Sequence, residues 1–477
     1  MKLFQTTFKI SIVLILILTA FFSGEILSFC GFYVAKADGS LFNRASQVVL
    51  ARDGERTVLT MTNDFEGDFK EFAIVIPVPT VITEEQVHIG NKDYIGALDA
   101  FSAPRLVEYF DEDPCAPRVM YDRAEKMAMP TQTGAPRKKE ESGVTIEAQF
   151  TVGEYDILIL SAKESNGLEN WLNSNGYKIP KGASQVLESY IKQNNKFFVA
   201  KVNLKEQSRL GFTFLRPIQV AFESPKFMLP IRLGTLNAKG DQEIILFTLT
   251  RNGRVESTNY RNVKIPANVN IPVYTKQEFG PIYKKIFEHQ VEKENKKVVF
   301  TEFAWDTTWC DPCVASPPSL KILQELGAFW TMDDYQYESP PFVPFPTDSQ
   351  KGSNKSSGQK VRQRRPAPVP MDGSSRVFLT RLHVVYNATT FPDDLAFQET
   401  GDSSTFQARY VLQHQYTGQS ACGSKEWDAY KAKVVERQSQ EAKTLADLSG
   451  LSVSEIRKKI GLSGEPEKIR WWKKIWK

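Results

Sequence analysis

The chain has 477 residues, of which 60 are basic and 56 are acidic, so its formal net charge is +4. A charge this small over this length does not support a nucleic-acid-binding surface or a protein that acts on acidic substrates. The hydrophobic fraction of 41% is ordinary for a folded protein, and the length exceeds what one hydrophobic core usually holds, which predicts two or three units.

The N-terminus has the features of an export signal. Lys2 and Lys9 flank a short positive region, and residues 10–22 are almost wholly apolar. A membrane-spanning helix needs roughly 20 apolar residues, so this shorter run favours a cleaved signal peptide over a signal anchor, which stays as the alternative. We predict an exported protein, located in the periplasm, in the cell envelope or outside the cell. Its mature chain should begin between about Ser28 and Asp38.

Residues 30–265, after a signal segment at 1–29, are predicted to form a β-rich domain. The alternating runs 47–52 and 55–62 flank Asp53-Gly54, which is a strong hairpin signal. Asn252-Gly253 stands between two similar runs and predicts a second hairpin. Further runs rich in branched and aromatic residues lie at 72–78, 144–152, 155–161, 197–204 and 216–222.

Two short helices interrupt these strands. One is predicted over residues 166–173, and the other begins with Ser184 as its N-cap and carries apolar residues on one face. The mixture predicts an α+β fold that is rich in β-structure, with sandwich-like antiparallel sheets, short helices and a C-terminal helical segment.

The second half of the chain divides into three predicted segments. Residues 266–346 form a connecting segment, and 347–375 form a disordered linker or loop, because polar residues, Gly and Pro dominate there without an apolar period. Residues 376–477 hold C-terminal strands at 377–386 and 406–414, followed by helices and a basic tail. A long amphipathic helix is predicted to begin near Ser424 and end at Gly450, with an apolar side made by Trp427, Tyr430, Val434, Leu445 and Leu448.

Several long stretches carry a resemblance to a known family. They are Cys30-Gly-Phe-Tyr-Val-Ala-Lys-Ala-Asp38, the hairpin around Asp53-Gly54, Glu71-Phe-Ala-Ile-Val-Ile-Pro-Val-Pro79, Ser102-Ala-Pro-Arg-Leu-Val-Glu-Tyr-Phe110, Val152-Gly-Glu-Tyr-Asp156, Trp309-Cys-Asp-Pro-Cys313 and Val377-Phe-Leu-Thr-Arg-Leu-His383. In these stretches the chain resembles the bacterial domain-of-unknown-function family 2330. The resemblance implies an exported bacterial protein with a mature chain that starts near Cys30. It implies no activity, ligand or catalytic residues.

The cysteines are candidates for disulfide bonds. An exported chain meets an oxidising compartment, so its cysteines are expected to be paired, and an odd number leaves one over. The five candidates are Cys30, Cys115, Cys310, Cys313 and Cys422.

The segment Trp309-Cys310-Asp311-Pro312-Cys313 is the one pattern that suggests redox chemistry. It follows a predicted strand at 298–303 and precedes a predicted helix at about 318–326, an order similar to that of thioredoxins, with Cys310 as nucleophile and Cys313 as resolving thiol. Pro317-Pro318 delays the helix and Asp311 opposes a thiolate, so a structural role is favoured over a catalytic pair. The two cysteines are expected to form a local disulfide or to bridge separately to Cys115 and Cys422. Zinc would need two further ligands, and we predict neither a metal nor a cofactor.

Three further motifs each allow a structural and a functional interpretation. Residues 444–456 resemble a helix-turn-helix with a capping box from Ser452 and Glu455, yet an exported protein favours two packed helices and no nucleic acid. The acidic run 111–113 could hold calcium but is expected to be a solvated loop. The basic tail suits a peripheral membrane contact or docking on the fold, and its membrane-interface candidates are Trp471, Trp472 and Trp476.

The chain contains no Gly-x-Ser-x-Gly elbow, no His-Glu-x-x-His helix and no phosphate-binding Gly-rich loop. The favoured hypothesis is a non-enzymatic envelope protein that binds or scaffolds an envelope protein or surface component, with disulfides as staples. The alternative is an envelope thiol–disulfide oxidoreductase that uses Cys310 and Cys313.

Overall fold

A computed structural model describes residues 32–36, 42–43, 46–62, 65–66, 72–114, 145–162, 165–175, 177–179, 182–210, 215–237, 240–309, 311, 315–332, 376–418 and 423–462. The predicted signal segment and the predicted linker at 347–375 lie outside these residues.

The strands, in chain order, are β1 (Phe32–Lys36), β2 (Phe42–Asn43), β3 (Ser46–Asp53), β4 (Arg56–Met61), β5 (Phe65–Glu66), β6 (Phe72–Val78), β7 (Val87–Ile89), β8 (Arg105–Phe110), β9 (Thr145–Val152), β10 (Tyr155–Ser161), β11 (Tyr177–Lys178), β12 (Lys196–Val202), β13 (Ile218–Glu223), β14 (Met228–Leu229), β15 (Gln242–Thr250), β16 (Val255–Ser257), β17 (Arg261–Lys264), β18 (Val269–Asn270), β19 (Val298–Asp306), β20 (Phe378–Tyr386), β21 (Leu395–Glu399), β22 (Phe406–Gln407) and β23 (Arg409–His414). The helices are α1 (Lys92–Ser102), α2 (Ser165–Ser174), α3 (Ala183–Lys192), α4 (Leu204–Arg209), α5 (Phe279–Lys293), α6 (Leu320–Glu325), α7 (Ser424–Ser449) and α8 (Val453–Lys459).

Two large sheets pack face to face and form the centre of the fold. One sheet has six strands in the order β11-β1-β6-β12-β10-β9. The other has nine strands, eight in the order β17-β19-β20-β15-β3-β4-β13-β7, with β22 paired to β19. Most neighbours are antiparallel, while β3 and β15 run parallel, as do β17 and β19. The predicted α+β fold, rich in β-structure, is confirmed.

Strands of both sheets are apolar on both faces because helices cover their outer sides. In β3, Val48 and Leu50 point into the core between the sheets, whereas Val49 and Ala51 point to the outer core under α1 and α6. On the six-stranded sheet, α2 and α3 cover the outer face. Burial on both faces explains the continuous apolar runs in the sequence.

One predicted hairpin is confirmed and the other is wrong. Strands β3 and β4 pair around Gly54, whose φ of 61° suits glycine. In contrast, β16 leaves the sheet of β15 and pairs with β21. A Cβ on Gly253 would lie 2.6 Å from the carbonyl oxygens of Thr400 and Asp402, so this glycine permits a close backbone approach.

A small parallel sheet, ordered β18-β23-β8, carries the C-terminal helices. Tyr410 and Leu412 of β23 pack with apolar residues of α5, α7 and α8. Helix α7 ends at Gly450, as predicted, with a φ of 69°. The predicted pair of packed helices is present, although Ser452 caps α8 without a side-chain hydrogen bond, so the expected capping box is not formed.

The predicted segments interleave within one sheet. Strands β3 and β15 belong to the segment 30–265, β19 to 266–346 and β20 to 376–477, yet β20 lies between β15 and β19.

The predicted cap of α3 is also corrected, since Gly182 is the N-cap and Ser184 lies inside the first turn. Among the described residues, no helix is both long enough and apolar enough to cross a membrane.

Candidate functional site

A cavity of about 380 Å³ lies where the small parallel sheet ends against α7 and α8. The adjacent parallel strands β8 and β23 end beside each other there, which brings side chains from distant parts of the sequence together. The lining residues are Phe110, Pro272, Val273, Tyr274, Gln413, His414, Gln415, Thr417, Gln438, Glu441 and Ile460.

One wall of the cavity is aromatic. Phe110 is 69% exposed and stacks on His414, with 4.5 Å between the ring centroids and 14° between the planes. Nε2 of His414 lies 2.8 Å from a carboxylate oxygen of Glu108. Lys276 lies 2.7 Å from the other oxygen of Glu108, and the hydrogen bonds from Lys276 and His414 lower the pKa of Glu108. The imidazole is therefore held with its face toward Phe110.

Behind this wall, Asp111 is the acceptor of a side-chain network. Arg437 donates hydrogen bonds to both carboxylate oxygens of Asp111. The Tyr430 hydroxyl donates to one of these oxygens over 2.6 Å, and the Gln413 amide donates to the other over 2.8 Å. Burial acts to raise the pKa of Asp111, but the hydrogen bonds from Arg437, Tyr430 and Gln413 outweigh it and lower the pKa. The expectation that Asp111 belongs to a solvated loop is wrong, because Arg437 of α7 reaches it across the fold.

Glu441 is the second carboxyl group near Arg437, and it lines the cavity. The residue is 3% exposed, and its Oε1 has no hydrogen-bond partner among the described residues. Its nearest cation is Nε of Arg437 at 3.5 Å, beyond good hydrogen-bond geometry. Burial raises the pKa of Glu441 to about 7. The positive charge of Arg437 acts to lower this pKa, and the negative charge of Asp111 acts to raise it. The residue with this raised pKa lines the cavity.

The spacing of residues along α7 explains why these charges are buried. Val434, Glu441 and Leu445 are separated by seven and four positions, which places them on one face of a helix. Arg437 shares that face, because it is four positions before Glu441. Sequence analysis identified the apolar stripe but missed the two charged residues within it. An arginine and a glutamate on an apolar stripe were the available signal.

A second cluster of charges lies inside the nine-stranded sheet. Both ring nitrogens of His383 face carboxylates, with Nδ1 2.7 Å from Glu302 and Nε2 2.8 Å from Glu243. Arg381 donates 2.6 Å to Glu302, and the Tyr283 hydroxyl also donates to Glu302. The cluster joins β15, β19, β20 and α5, and its buried charges are paired with one another.

The two central members of this cluster stabilise each other's charge. Burial alone would lower the pKa of His383, but the charge of Glu302 and the hydrogen bonds to Glu243 and Glu302 raise it to about 9. Burial alone would raise the pKa of Glu302, but His383, Arg381 and Tyr283 lower it to about 2. Phe287 stacks on the imidazole with 3.6 Å between ring centroids. We interpret this cluster as structural.

The site residues predicted from sequence fall mostly outside the described residues. The disulfide and redox candidates all lie outside the described residues, and so do the membrane-interface candidates. They are Cys30, Cys115, Cys310, Cys313 and Cys422, and Trp471, Trp472 and Trp476. Next to the redox motif, Trp309 is half exposed and its ring meets the edge of Trp305, 4.9 Å away. The backbone carbonyl of Asp311 accepts a hydrogen bond from Gln407. Within the described ranges, no group of three acidic, His or Cys side chains could hold a metal ion.

Comparison with known proteins identifies the family. The model of DUF2330, described as an uncharacterized protein conserved in bacteria, matches residues 25–398. The chain belongs to this family. The resemblance predicted from sequence is therefore confirmed. No curated protein and no solved structure matches the chain. The match to DUF2330 ends before β22, so the cavity joins residues inside the matched region, such as Phe110, to residues beyond it, such as Glu441.

Proposed function

We propose that this DUF2330 protein is an exported, non-enzymatic binding protein that holds a small ligand in the cavity between β8, β23 and α7. The observation that carries this proposal is the position of Glu441, which lines the cavity at 3% exposure and whose nearest cation is Nε of Arg437 at 3.5 Å. A buried polar group of this kind is costly unless something compensates it. A bound ligand would provide that compensation.

The size and lining of the cavity support binding. Ligand pockets are commonly about 300 to 1,000 Å³ in volume, with apolar walls and a few polar groups that orient the ligand. This cavity, at about 380 Å³, falls in that range and has Phe110, Val273 and Ile460 among its apolar residues. Gln413, Gln415 and Gln438 supply amides, which hydrogen-bond well but are poor nucleophiles and bases. Such a lining suits recognition better than catalysis.

Export is proposed on the N-terminal segment alone. The charged start followed by a short apolar run has the length and order of a signal peptide. N-terminal sequencing of the protein from an envelope fraction should return a start between about Ser28 and Asp38. Recovery of intact Met1 in the membrane would indicate an anchor, and recovery in the cytosol would contradict export.

Binding is tested on protein purified from the envelope without denaturation. Solvent extraction followed by mass spectrometry should detect a small molecule that is stoichiometric with the wild-type protein. Gln438→Trp, which fills the cavity, should reduce its amount at least tenfold. Gln440→Trp, an exposed position on the same helix, is the matched control and should retain it. A compound carried equally by all three proteins, or by none, would contradict the proposal.

The thiol–disulfide oxidoreductase stays as the alternative function. It depends on Cys310 and Cys313, which lie outside the described residues. A Cys313→Ala variant that traps mixed disulfides with envelope proteins would favour this alternative over a structural bridge. A binding protein with disulfide staples should trap none.

A further inference from the structure

Glu441 shares its nearest cation, Arg437, with a second carboxylate, Asp111. Arg437 is bonded to Asp111, Lys276 to Glu108 and Lys459 to Glu278. Among the described residues, Glu441 is the carboxyl group of this site without a cation of its own. Its only ion-pair contact is the 3.5 Å approach of Nε of Arg437, whose two Nη atoms already serve Asp111.

Ionised Glu441 would therefore carry a buried negative charge that its shared cation compensates only in part. A ligand with a positive charge would remove that cost, because opposite charges attract more strongly where water is scarce. A ligand with a carboxylate would instead be repelled by the like charge of Glu441.

The aromatic side of the cavity adds a second preference. The face of Phe110 is largely exposed, and Tyr274 lies on the same lining. Aromatic faces attract cations and also bury apolar or aromatic groups. Lys459 already lies 5.0 Å from the ring centroid of Tyr274, which illustrates that preference within the chain itself.

We propose that the ligand is a small organic cation, an amine joined to an apolar or aromatic group, with its ammonium at Glu441 and its apolar part against Phe110. This inference rests on the proposed binding function and specifies the chemistry of its ligand. The volume of about 380 Å³ admits a molecule of one or two rings, with Gln415 and Gln438 on the lining beside other polar groups of the ligand.

The experiment compares three probes of similar shape in calorimetric titrations of the full chain after removal of bound compounds. Tryptamine carries an ammonium, indole-3-ethanol carries a neutral hydroxyl and indole-3-acetate carries a carboxylate. Tryptamine should bind at least tenfold more tightly than the alcohol, and the acetate should bind most weakly. Glu441→Gln should weaken tryptamine binding at least tenfold, whereas Glu436→Gln, at an exposed position of the same helix, should leave it unchanged.

Proton release gives a second readout that a general loss of stability would not produce. Burial raises the pKa of the Glu441 carboxyl group to about 7, so a bound ammonium, which favours the ionised form, should release a fraction of a proton per ligand near neutral pH. Titrations in buffers with different ionisation enthalpies measure this release, and it should vanish in Glu441→Gln.

The outcomes separate the ligand chemistry from the binding function. Equal binding of the three probes, tighter binding of indole-3-acetate, no binding of tryptamine, or an unchanged affinity in Glu441→Gln would each overturn the inference. An anionic compound recovered with the envelope protein, and lost in Gln438→Trp, would overturn it while supporting the binding function. A co-purified amine with the predicted dependence on Glu441 would support both.

Discussion

Arg437 donates from both Nη atoms to the carboxylate of Asp111, across 2.9 Å in each case, although the residues are 326 positions apart. This bidentate pair fixes α7 against the end of β8 and holds Glu441 at the cavity. The shape of the candidate site therefore depends on a contact between the N-terminal half of the chain and the C-terminal helix.

Replacing Asp111 tests that dependence. Asp111→Asn should lower the free energy of unfolding by roughly 2 to 3 kcal/mol, because it leaves a partly buried guanidinium without its carboxylate. Urea unfolding measures the change. The adjacent Glu112→Gln, at an exposed position, should change the free energy by less than about 0.5 kcal/mol. Equal effects of the two substitutions would contradict a structural role for the pair.

The His383 cluster predicts that stability falls in mildly alkaline solution. The folded protein keeps a proton on His383 until about pH 9, whereas the unfolded chain loses it near its ordinary pKa of 6.5. The stabilisation is complete below pH 6.5 and is lost as the pH rises through about 9, at most about 3 kcal/mol in all. His383→Gln should remove this dependence. Urea unfolding of both proteins from pH 6 to 10 measures the difference, and parallel curves would contradict the prediction.

Two glycines should respond to alanine with opposite signs. Gly327 has a φ of 97°, and a Cβ there would lie 2.5 Å from Val58, so Gly327→Ala should destabilise the fold by roughly 2 kcal/mol or more. Gly96 lies in α1 with open space where its Cβ would be, so Gly96→Ala should stabilise it by roughly 0.5 to 1 kcal/mol. Thermal unfolding compares the pair, and shifts of the same sign would contradict the assigned geometry.

The cysteine motif gives a prediction that rests on sequence alone. Cys310 and Cys313 should be oxidised in the protein as isolated, bonded to each other or to another cysteine of the chain, and Asp311 should keep the first thiol from becoming strongly acidic. Mass spectrometry of the non-reduced protein tests the first statement. Alkylation of the reduced protein across pH tests the second, and rapid reaction of Cys310 at acidic pH would favour the oxidoreductase.

Local patterns predicted much of the fold. The alternating runs around Asp53-Gly54 became β3 and β4, and the long apolar stripe became α7 with Gly450 as its end. Both features depend on neighbouring residues, so a single sequence carries them. Asn252-Gly253 led to a wrong hairpin prediction, because the pair has the sequence of a hairpin turn. The structure instead uses Gly253 for a close backbone approach to residues 400 and 402.

The candidate site could not be predicted from local patterns. Phe110 and His414 meet because β8 and β23 are neighbouring parallel strands, a pairing between residues about 300 positions apart. Chain separation of this size leaves no periodic trace in the sequence. Only Arg437 and Glu441, as charged residues on an apolar stripe, left a local signal of the site.

Hydrogen–deuterium exchange with and without ligand shows whether a small molecule occupies the cavity between β8, β23 and α7. Protein that retains its co-purified compound should be compared with the same protein after the compound is removed. Exchange should be slower in the ligand-bound form at the ends of β8 and β23 and in α7 around Glu441, with little change in the two large sheets. Protection elsewhere, or identical exchange in the two samples, would contradict a ligand site in this cavity.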